Sequence, residues 1–251
     1  MEKVDITILG ATEGEIAPLC ALESTRLPGI GGRFFSIRTH RGLRLLIAET
    51  GIGKVNAAAI TAAALSRVAS GEVWNVGCAG AYCGSGLEVG DVLISDNCLL
   101  ADEGILTRNG PAPLSEIGIP LVVKNGLAFC DAFPAGESLG SAQKILSRSP
   151  FSDNAFRLRY GPSLTVGMTS GDLQTASARF HRFQALAENM EGGAIAQTCL
   201  LFGVPFLEIR GISNVAGERD KACWDLRAAV DHCLAVVERL LEGYRRIEVN
   251  N

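Results

Sequence analysis

The sequence has few of the features that are typical of membrane-spanning, nucleic-acid-binding or metal-stabilised proteins. No apolar run approaches the ~18 residues that a membrane-spanning helix needs. Aromatic residues make up only 6% of the chain and no cluster of Lys and Arg interleaves with them, so the usual pattern of a nucleic-acid surface is missing. The eight cysteines include no C-x-x-C pair, and we expect them to be reduced core thiols.

The composition suits a globular enzyme that acts on a small molecule. Hydrophobic residues make up 47% of the 251 residues, which is enough to bury one sizeable core. The net charge of −4 gives no electrostatic reason to bind nucleic acid. The first residues, MEKVDITILGATEG, enter a predicted strand without the basic region of a secretion signal. We expect a single domain over residues 1–251, located in the cytoplasm, with a small-molecule partner and neither nucleic acid nor a membrane.

Apolar segments that alternate between strand and helix patterns predict an α/β fold. A hairpin is expected to turn near Arg41 and Gly42. Several other strands are apolar along their whole length, so helices must cover both faces of the sheet. These buried strands are predicted in the segments VDITILG (4–10), VWNVGCAGAYCG (73–84), DVLISDNCLLAD (91–102), LTVGMTSG (164–171) and VPFLEIRGIS (204–213).

Four helices are predicted between or after these strands. The first begins near Glu13, the second is Ala-rich and lies within residues 51–68, and the third runs from Glu191 to Gly203. The first helix has Ile16, Leu19 and Leu22 on one face. The last starts near Ala222 with an apolar stripe of Leu226, Val230, Cys233, Val237, Leu240, Leu241 and Tyr244. Residues 103–140 lack periodicity, which predicts a long excursion near a site or an interface.

Glycine-rich turns after strands are candidate ligand sites because they let backbone N–H groups approach a ligand. The turn GATEGE (10–15) has acids where a dinucleotide pyrophosphate would bind, and AETGIGKVN (48–56) lacks the first Gly and the Ser or Thr of a phosphate loop. The turn GCAGAYCG (77–84) has no phosphate pattern. It either forms a ligand-binding surface at the carboxyl end of a strand or allows close packing of neighbouring elements.

Two glutamates at predicted helix starts are candidate functional residues. Glu191 precedes Gly192 and Gly193, so something can approach its carboxylate closely. Glu15 lies in the first turn of the first helix. Each is either a functional carboxylate or a favourable charge at a helix N-terminus, and the residues alone leave both interpretations open.

Five segments resemble a known family in order along the chain: ILGATEGEIAPL (8–19), TGIGKVNAA (50–58), NVGCAGAYCGSGLEVGDVLISD (75–96), TSGD (169–172) and NMEGGAIAQTCLLFGVPFLEIRGISN (189–214). They are similar to the purine nucleoside phosphorylase and nucleosidase superfamily, in its hydrolytic branch. The resemblance implies a three-layer α/β/α fold around a mixed, partly barrel-like sheet. It also implies a purine nucleoside substrate, no metal or organic cofactor, and a homodimer or higher homo-oligomer.

The resemblance also implies roles for individual residues. Glu191 matches the ribose anchor, which accepts hydrogen bonds from the 2′- and 3′-hydroxyls, and Met190 would pack beneath the sugar. Glu15 matches the glutamate that activates water as a general base.

Further residues of the same motifs are expected to contact the substrate. Thr12 matches a position near the 5′ end of the nucleoside, and Ala79 and Gly80 belong to the substrate-binding turn. Gln174 stands where relatives often have an aromatic residue that stacks on the base.

Asn214 indicates which base is released. Adenine-cutting relatives have Asp here, which protonates N7 and accepts from the 6-amino group. A 6-oxopurine needs a donor facing O6 and an acceptor facing protonated N7, and one amide supplies both. The stretch ISNVAGERD (212–220) followed by Trp224 is similar to futalosine hydrolases, which release hypoxanthine in menaquinone biosynthesis.

Three alternatives remain open on the sequence. The first is a methylthioadenosine/S-adenosylhomocysteine or aminofutalosine nucleosidase. The second is a purine nucleoside phosphorylase, although a phosphate pocket needs cations and no Arg precedes Arg26. The third is a nucleoside-binding protein without catalysis, which would not need both Glu15 and Glu191.

Overall fold

Long apolar strands form the centre of the structure, a computed structural model that describes residues 1–20, 25–108, 110–151 and 155–248. The strands are β1 (Glu2–Gly10), β2 (Thr25–Pro28), β3 (Phe34–His40), β4 (Leu43–Glu49), β5 (Val68–Ala81), β6 (Val92–Leu100), β7 (Gly104–Thr107), β8 (Gly110–Pro113), β9 (Val122–Lys124), β10 (Leu127–Phe129), β11 (Ala132–Pro134), β12 (Leu158–Thr165), β13 (Ala187–Asn189) and β14 (Phe206–Val215). The helices are α1 (Glu13–Cys20), α2 (Lys54–Leu65), α3 (Leu114–Ile117), α4 (Glu137–Arg148), α5 (Leu173–Phe183), α6 (Gly192–Phe202) and α7 (Leu226–Glu248).

Five strands of the sheet close into a ring. β14 pairs in parallel with β5 and antiparallel with β6. β6 then pairs in parallel with β12, and β12 in parallel with β13. β13 completes the ring by pairing antiparallel with β5. Strands β1, β4, β3 and β2 extend from β5 as an open wing, so the predicted mixed, partly barrel-like sheet is confirmed.

Helices cover both faces of this sheet, as the apolar strands require. Ile8 packs on one side against the cluster that includes Val237 of α7, and Leu9 packs on the other side against Ile60 of α2 and Ile195 of α6. All five side chains are almost fully buried. The three-layer α/β/α architecture is therefore confirmed. Among the described residues, no helix is both long and apolar enough to cross a bilayer.

Several element boundaries differ from the sequence prediction. The hairpin turn at Arg41 and Gly42 is present, with positive φ at both residues. The last helix begins at Leu226 rather than near Ala222, because Lys221–Cys223 form a separate 3-10 turn. Leu226 is 54% exposed, so its expected place in the apolar stripe was wrong. Leu22 lies outside the described residues.

The region 103–140 is more structured than its lack of periodicity predicts. β7 pairs with β8, and β9 pairs with β10, as local two-stranded hairpins. β11 joins the main sheet beside β6. Each of these strands has three or four residues, which is too few for a period-two pattern to be visible.

Candidate active site

The ends of three neighbouring parallel strands gather the predicted residues. β1 and β14 both run parallel to β5, so their carboxyl ends meet at one edge of the sheet, where ligands of α/β proteins usually bind. Glu15 follows β1 in α1. Asn214 lies near the end of β14, opposite Gly80 of β5. Residues 77–81 of the predicted glycine-rich turn belong to β5 itself. They lie beside the residues that follow β1 and the end of β14.

Glu15 is held by hydrogen bonds to both carboxylate oxygens. Its Oε2 accepts from the backbone N–H of Thr12 at 2.9 Å and from the Thr12 hydroxyl at 3.2 Å. Its Oε1 accepts from the backbone N–H of Cys78 at 2.8 Å. Thr12, predicted near the 5′ end of the substrate, thus lies directly beside Glu15. The carboxylate is pinned between α1 and β5.

Arg210, which the sequence analysis missed, lies between the two predicted glutamates. It is completely buried, and its Nη2 is 3.8 Å from Glu191 Oε2. A Cβ on Gly77, whose φ is +154°, would lie 2.8 Å from Arg210 Nη1 and 2.3 Å from Glu15 Oε1. Any larger residue here would collide with both groups, so glycine lets Arg210 and Glu15 approach the backbone of β5. Arg210 Nη1 has no hydrogen-bond partner within the described part of the chain.

The charge of Arg210 is fixed by carboxylates around it. Burial alone would lower its pKa, but Glu208, Glu191 and Glu15 raise it further than burial lowers it. Arg210 is therefore a cation at any working pH. A sequence signal for Arg210 existed. Glu208 and Arg210 lie two residues apart in an apolar strand, so their side chains share one face and can form an ion pair.

Glu191 is buried at the start of α6 with 5% of its surface exposed. It accepts a hydrogen bond from the backbone N–H of Gly53 at 2.9 Å. Burial raises the pKa of its carboxyl, although Arg210 and the Gly53 N–H act to lower it. Met190, the residue before Glu191, packs against the apolar cluster that includes Tyr82.

Asn214 has a defined amide orientation. Its Nδ2 donates to the Val215 carbonyl at 2.9 Å, and its Oδ1 accepts from the Ser213 hydroxyl at 2.8 Å. Because a carbonyl only accepts, the NH₂ group must face Val215. Asn214 keeps one N–H and one oxygen lone pair for a ligand. Ala79 is buried behind it, and its carbonyl also lies within reach of the Ser213 hydroxyl, at 3.3 Å.

Gln174 lies on the exposed first turn of α5, which begins beside the loop that follows Asn214. A Cβ on Gly217 in that loop would lie 2.4 Å from the Asp172 carbonyl, and Asp172 caps α5 by accepting from the Thr175 N–H at 2.7 Å. Gln174 also lines a cavity of about 680 Å³ between α5 and the β7–β8 hairpin. In the described chain, none of the other predicted site residues lines that cavity.

Cys78 lies next to the centre without offering a nucleophile. Burial, reinforced by the Glu15 carboxylate, raises the pKa of its thiol to about 12, so the thiol stays protonated. All eight cysteines are free. Within the described ranges, no group of three or more His, Cys, Asp and Glu side chains is arranged to hold a metal ion.

Comparisons with known proteins assign the family. Residues 5–244 match the model of the phosphorylase superfamily. The chain is 36% identical over 226 residues to futalosine hydrolase of Thermus thermophilus, covering 88% of this chain and 93% of that protein. It is 30% identical over 244 residues to 5′-methylthioadenosine/S-adenosylhomocysteine nucleosidase of Bacillus pumilus, covering 94% and 98%. The corresponding nucleosidase of Colwellia psychrerythraea, solved in complex with adenine, superposes with a TM-score of 0.78 at 26% identity over 96% of both chains.

The chain therefore belongs to the phosphorylase superfamily. Within it, the similarity is to nucleosidases, and the predicted hydrolytic branch is confirmed. The protein is an N-glycosidase, an enzyme that hydrolyses the bond between a base and its sugar.

Proposed function

We propose that this protein hydrolyses a 6-oxopurine nucleoside, with futalosine as the substrate and hypoxanthine as the released base. The observation that carries the proposal is the fixed amide of Asn214 at the edge of a centre built from Glu15, Arg210 and Glu191. The similarity to a futalosine hydrolase at 36% identity agrees with it. On this proposal the chain is a single nucleosidase domain of menaquinone biosynthesis in the cytoplasm.

Water is the proposed nucleophile, and it would bind between Glu15 and Arg210. Arg210 Nη1 is a buried donor without a hydrogen-bond partner in the described part of the chain, and both it and Glu15 Oε1 closely approach the backbone of Gly77. A water that bridges these two groups would accept from Arg210 and donate to Glu15. As the water oxygen attacks C1′, Glu15 takes its proton, a step that typically contributes ~10²–10⁴-fold.

The sugar would be stabilised by negative charge in the same centre. Glu15, Glu191 and Glu208 surround one guanidinium, Arg210, so the carboxylates outnumber the cation. As the C1′–N9 bond breaks, its electron pair leaves with the base and the ribose becomes an oxocarbenium ion. Glu191, which would also accept from the ribose hydroxyls, stabilises that cation more than it stabilises the neutral substrate.

Asn214 would select the base through its remaining hydrogen-bonding groups. Its free N–H suits the acceptor O6, and its Oδ1 suits N7 once solvent has protonated that atom. A 6-amino group would instead point a donor at the Asn214 NH₂. Such a mismatch between buried polar groups discriminates strongly between bases.

We also propose that the enzyme is a homo-oligomer. Asp102 links three segments, because it accepts from Lys54 Nζ at 2.7 Å and from the Gly167 N–H at 2.8 Å. Exposed apolar residues lie within a few residues of these positions in the sequence, and such residues can mark interfaces between chains. Sedimentation analysis tests this proposal. The side chains are Ile52, Val55, Ile105, Leu106, Met168 and Leu173, which are 48% to 85% exposed.

The decisive experiment measures base release by chromatography, in phosphate-free buffer and again with phosphate. Futalosine, aminofutalosine, inosine and methylthioadenosine are compared at equal concentration. We expect hypoxanthine from futalosine without phosphate. Adenine release from the amino substrates alone would favour the function of the Bacillus pumilus relative. A requirement for phosphate would make the enzyme a phosphorylase, and binding without release would make it a binding protein.

A further inference from the structure

Glu208 lies at the centre of the closed ring of strands. It is completely buried on β14, and its carboxylate accepts from a side chain on each of the other four ring strands. These donors are Asn75 Nδ2 on β5 at 2.8 Å, Ser95 Oγ on β6 at 2.8 Å, Ser163 Oγ on β12, and Asn189 Nδ2 on β13 at 3.3 Å. One carboxylate therefore joins all five strands from the inside.

The same carboxylate orients Arg210. Glu208 Oε2 accepts from Arg210 Nε at 3.1 Å and from Nη2 at 3.0 Å. This contact uses one edge of the guanidinium and leaves Nη1 directed to the position beside Gly77 and Glu15. Because the guanidinium is planar and rigid, fixing that edge also fixes the direction of Nη1.

Glu208 is also linked to the predicted ribose anchor. Asn189, whose Nδ2 donates to Glu208, uses its Oδ1 to accept from the backbone N–H groups of Glu191 at 3.0 Å and Gly192 at 2.8 Å. A Cβ on Gly192 would lie 2.1 Å from Glu208 Oε2, so the carboxylate sits directly under the N-terminus of α6. The position of Glu191 thus depends on Glu208 through one amide.

Glu208 has no free hydrogen-bonding capacity for a substrate or a water. Oε1 accepts from two hydroxyls and an amide, and Oε2 accepts from an amide and a guanidinium. Burial alone would raise its pKa, but Arg210 and the hydroxyls of Ser163 and Ser95 leave the pKa below its ordinary value. Glu208 is therefore a permanent anion that acts through its neighbours.

We propose that Glu208 is the positioning residue of the reaction centre, which aims Arg210 Nη1 at the nucleophile and holds Glu191 at the ribose. This inference rests on the proposed function, because the nucleophile beside Arg210 and the ribose beside Glu191 are both assigned there. It adds that the interior of the strand ring serves the reaction and not only the fold.

The test is Glu208→Gln, which keeps the size of the side chain and removes its charge. We expect kcat for base release to fall about 100-fold, the scale on which a small misplacement of reacting groups acts, with a smaller change in KM. We also expect the acid limb of kcat/KM to move to lower pH. The reason is that the negative charge of Glu208 raises the pKa of Glu191, and a purely structural defect would not shift this limb.

Glu72→Gln is the matched control. Glu72 is also a buried glutamate on a strand of the ring, 5% exposed on β5, and it should retain the kcat and the pH profile of the wild type. If Glu208→Gln does not fold, Glu208→Asp keeps the charge on a shorter arm. It should lower kcat without moving the acid limb.

Wild-type enzyme, assayed in parallel, distinguishes a failure of the proposed hydrolysis from a failure of the positioning role of Glu208. An inactive wild type would overturn the proposed hydrolysis and the role of Glu208 with it. An active wild type together with a Glu208→Gln variant of unchanged kcat and pH profile would overturn only the positioning role. For the Asp variant, an unchanged kcat would do the same.

Discussion

The proposed ribose end and the proposed base end of the candidate site are built in different ways. At the ribose end, Glu15 is pinned by three hydrogen bonds, and Arg210 and Glu208 are fully buried. At the base end, Asn214 is only half-buried and bonds to its own chain neighbours, and Gln174 is exposed. The groups proposed to break the bond are therefore held in place by the fold. The proposed choice of base depends on one amide that has few supporting contacts.

Glu15→Gln should give the largest effect, because it removes the proposed base from the rigid end. We expect kcat to fall by ~10²–10⁴-fold while nucleoside binding, measured by calorimetry, is retained. Glu13→Gln is the control, since Glu13 is an exposed carboxylate in the same first turn. Full activity in the Glu15 variant would show that Glu15 is not the general base, and the proposed contrast between the two ends would then be wrong.

Gly77→Ala tests whether the close approach of Glu15 and Arg210 to the Gly77 backbone is needed. The added methyl group would lie 2.3 Å from Glu15 Oε1 and 2.8 Å from Arg210 Nη1, so one of them must move. We expect about a 100-fold loss of kcat. Gly140→Ala should be neutral, because nothing lies within 4 Å of a Cβ there. A Gly77→Ala enzyme with wild-type kcat would contradict the proposed water position.

Asn214→Asp tests the base end. The oxygen that replaces Nδ2 would face the Val215 carbonyl, now 2.9 Å from Nδ2, so the new carboxyl should hold a proton and present a different pattern to the base. We expect the ratio of kcat/KM for futalosine over aminofutalosine to fall at least about tenfold. Asn56→Asp, at an amide that also donates to a nearby carbonyl, should leave the ratio unchanged. An unchanged ratio in the Asn214 variant would end the assignment of base choice to this residue.

The pH dependence of activity should show a small shift that concerns only the ribose end. Burial raises the pKa of Glu191, so the acid limb of kcat/KM should lie above the ~4.3 of an ordinary glutamate. The raised pKa also means that the contribution of Glu191 to folding stability is lost as pH rises from its unfolded pKa through its folded pKa. Base preference should not change over this range. A limb at the ordinary value would show that Glu191 is not the ionising group.

Three residues of the candidate site could be named from sequence motifs, and their roles stay predictions. Glu15 follows β1, Glu191 follows β13 and Asn214 lies near the end of β14. Arg210 and Glu208 lay inside a segment interpreted as an apolar strand. The charges at alternate positions were a usable signal, because a buried charge needs a buried partner.

Two further features of the fold were not predicted from the local sequence pattern. Helix α5 is absent from the four predicted helices, although Asp172 is a residue type that favours an N-cap, and it does cap α5. The closure of five strands into a ring depends on β13, which has only three residues. Pairing of so short a strand is decided by the tertiary structure and not by local preference.

The closed ring also determines how this enzyme can open. Each of its five strands pairs with two others in the ring and donates to, or carries, the same buried carboxylate. Separating one strand from the ring would leave the charge of Glu208 buried with fewer partners, so partial openings of the ring are unfavourable. Backbone amides of β14 should therefore exchange with solvent only through global unfolding, whereas the two small hairpins, β7–β8 and β9–β10, can open locally. The proposed reaction centre would therefore lie in a part of the protein that opens only when the whole fold opens.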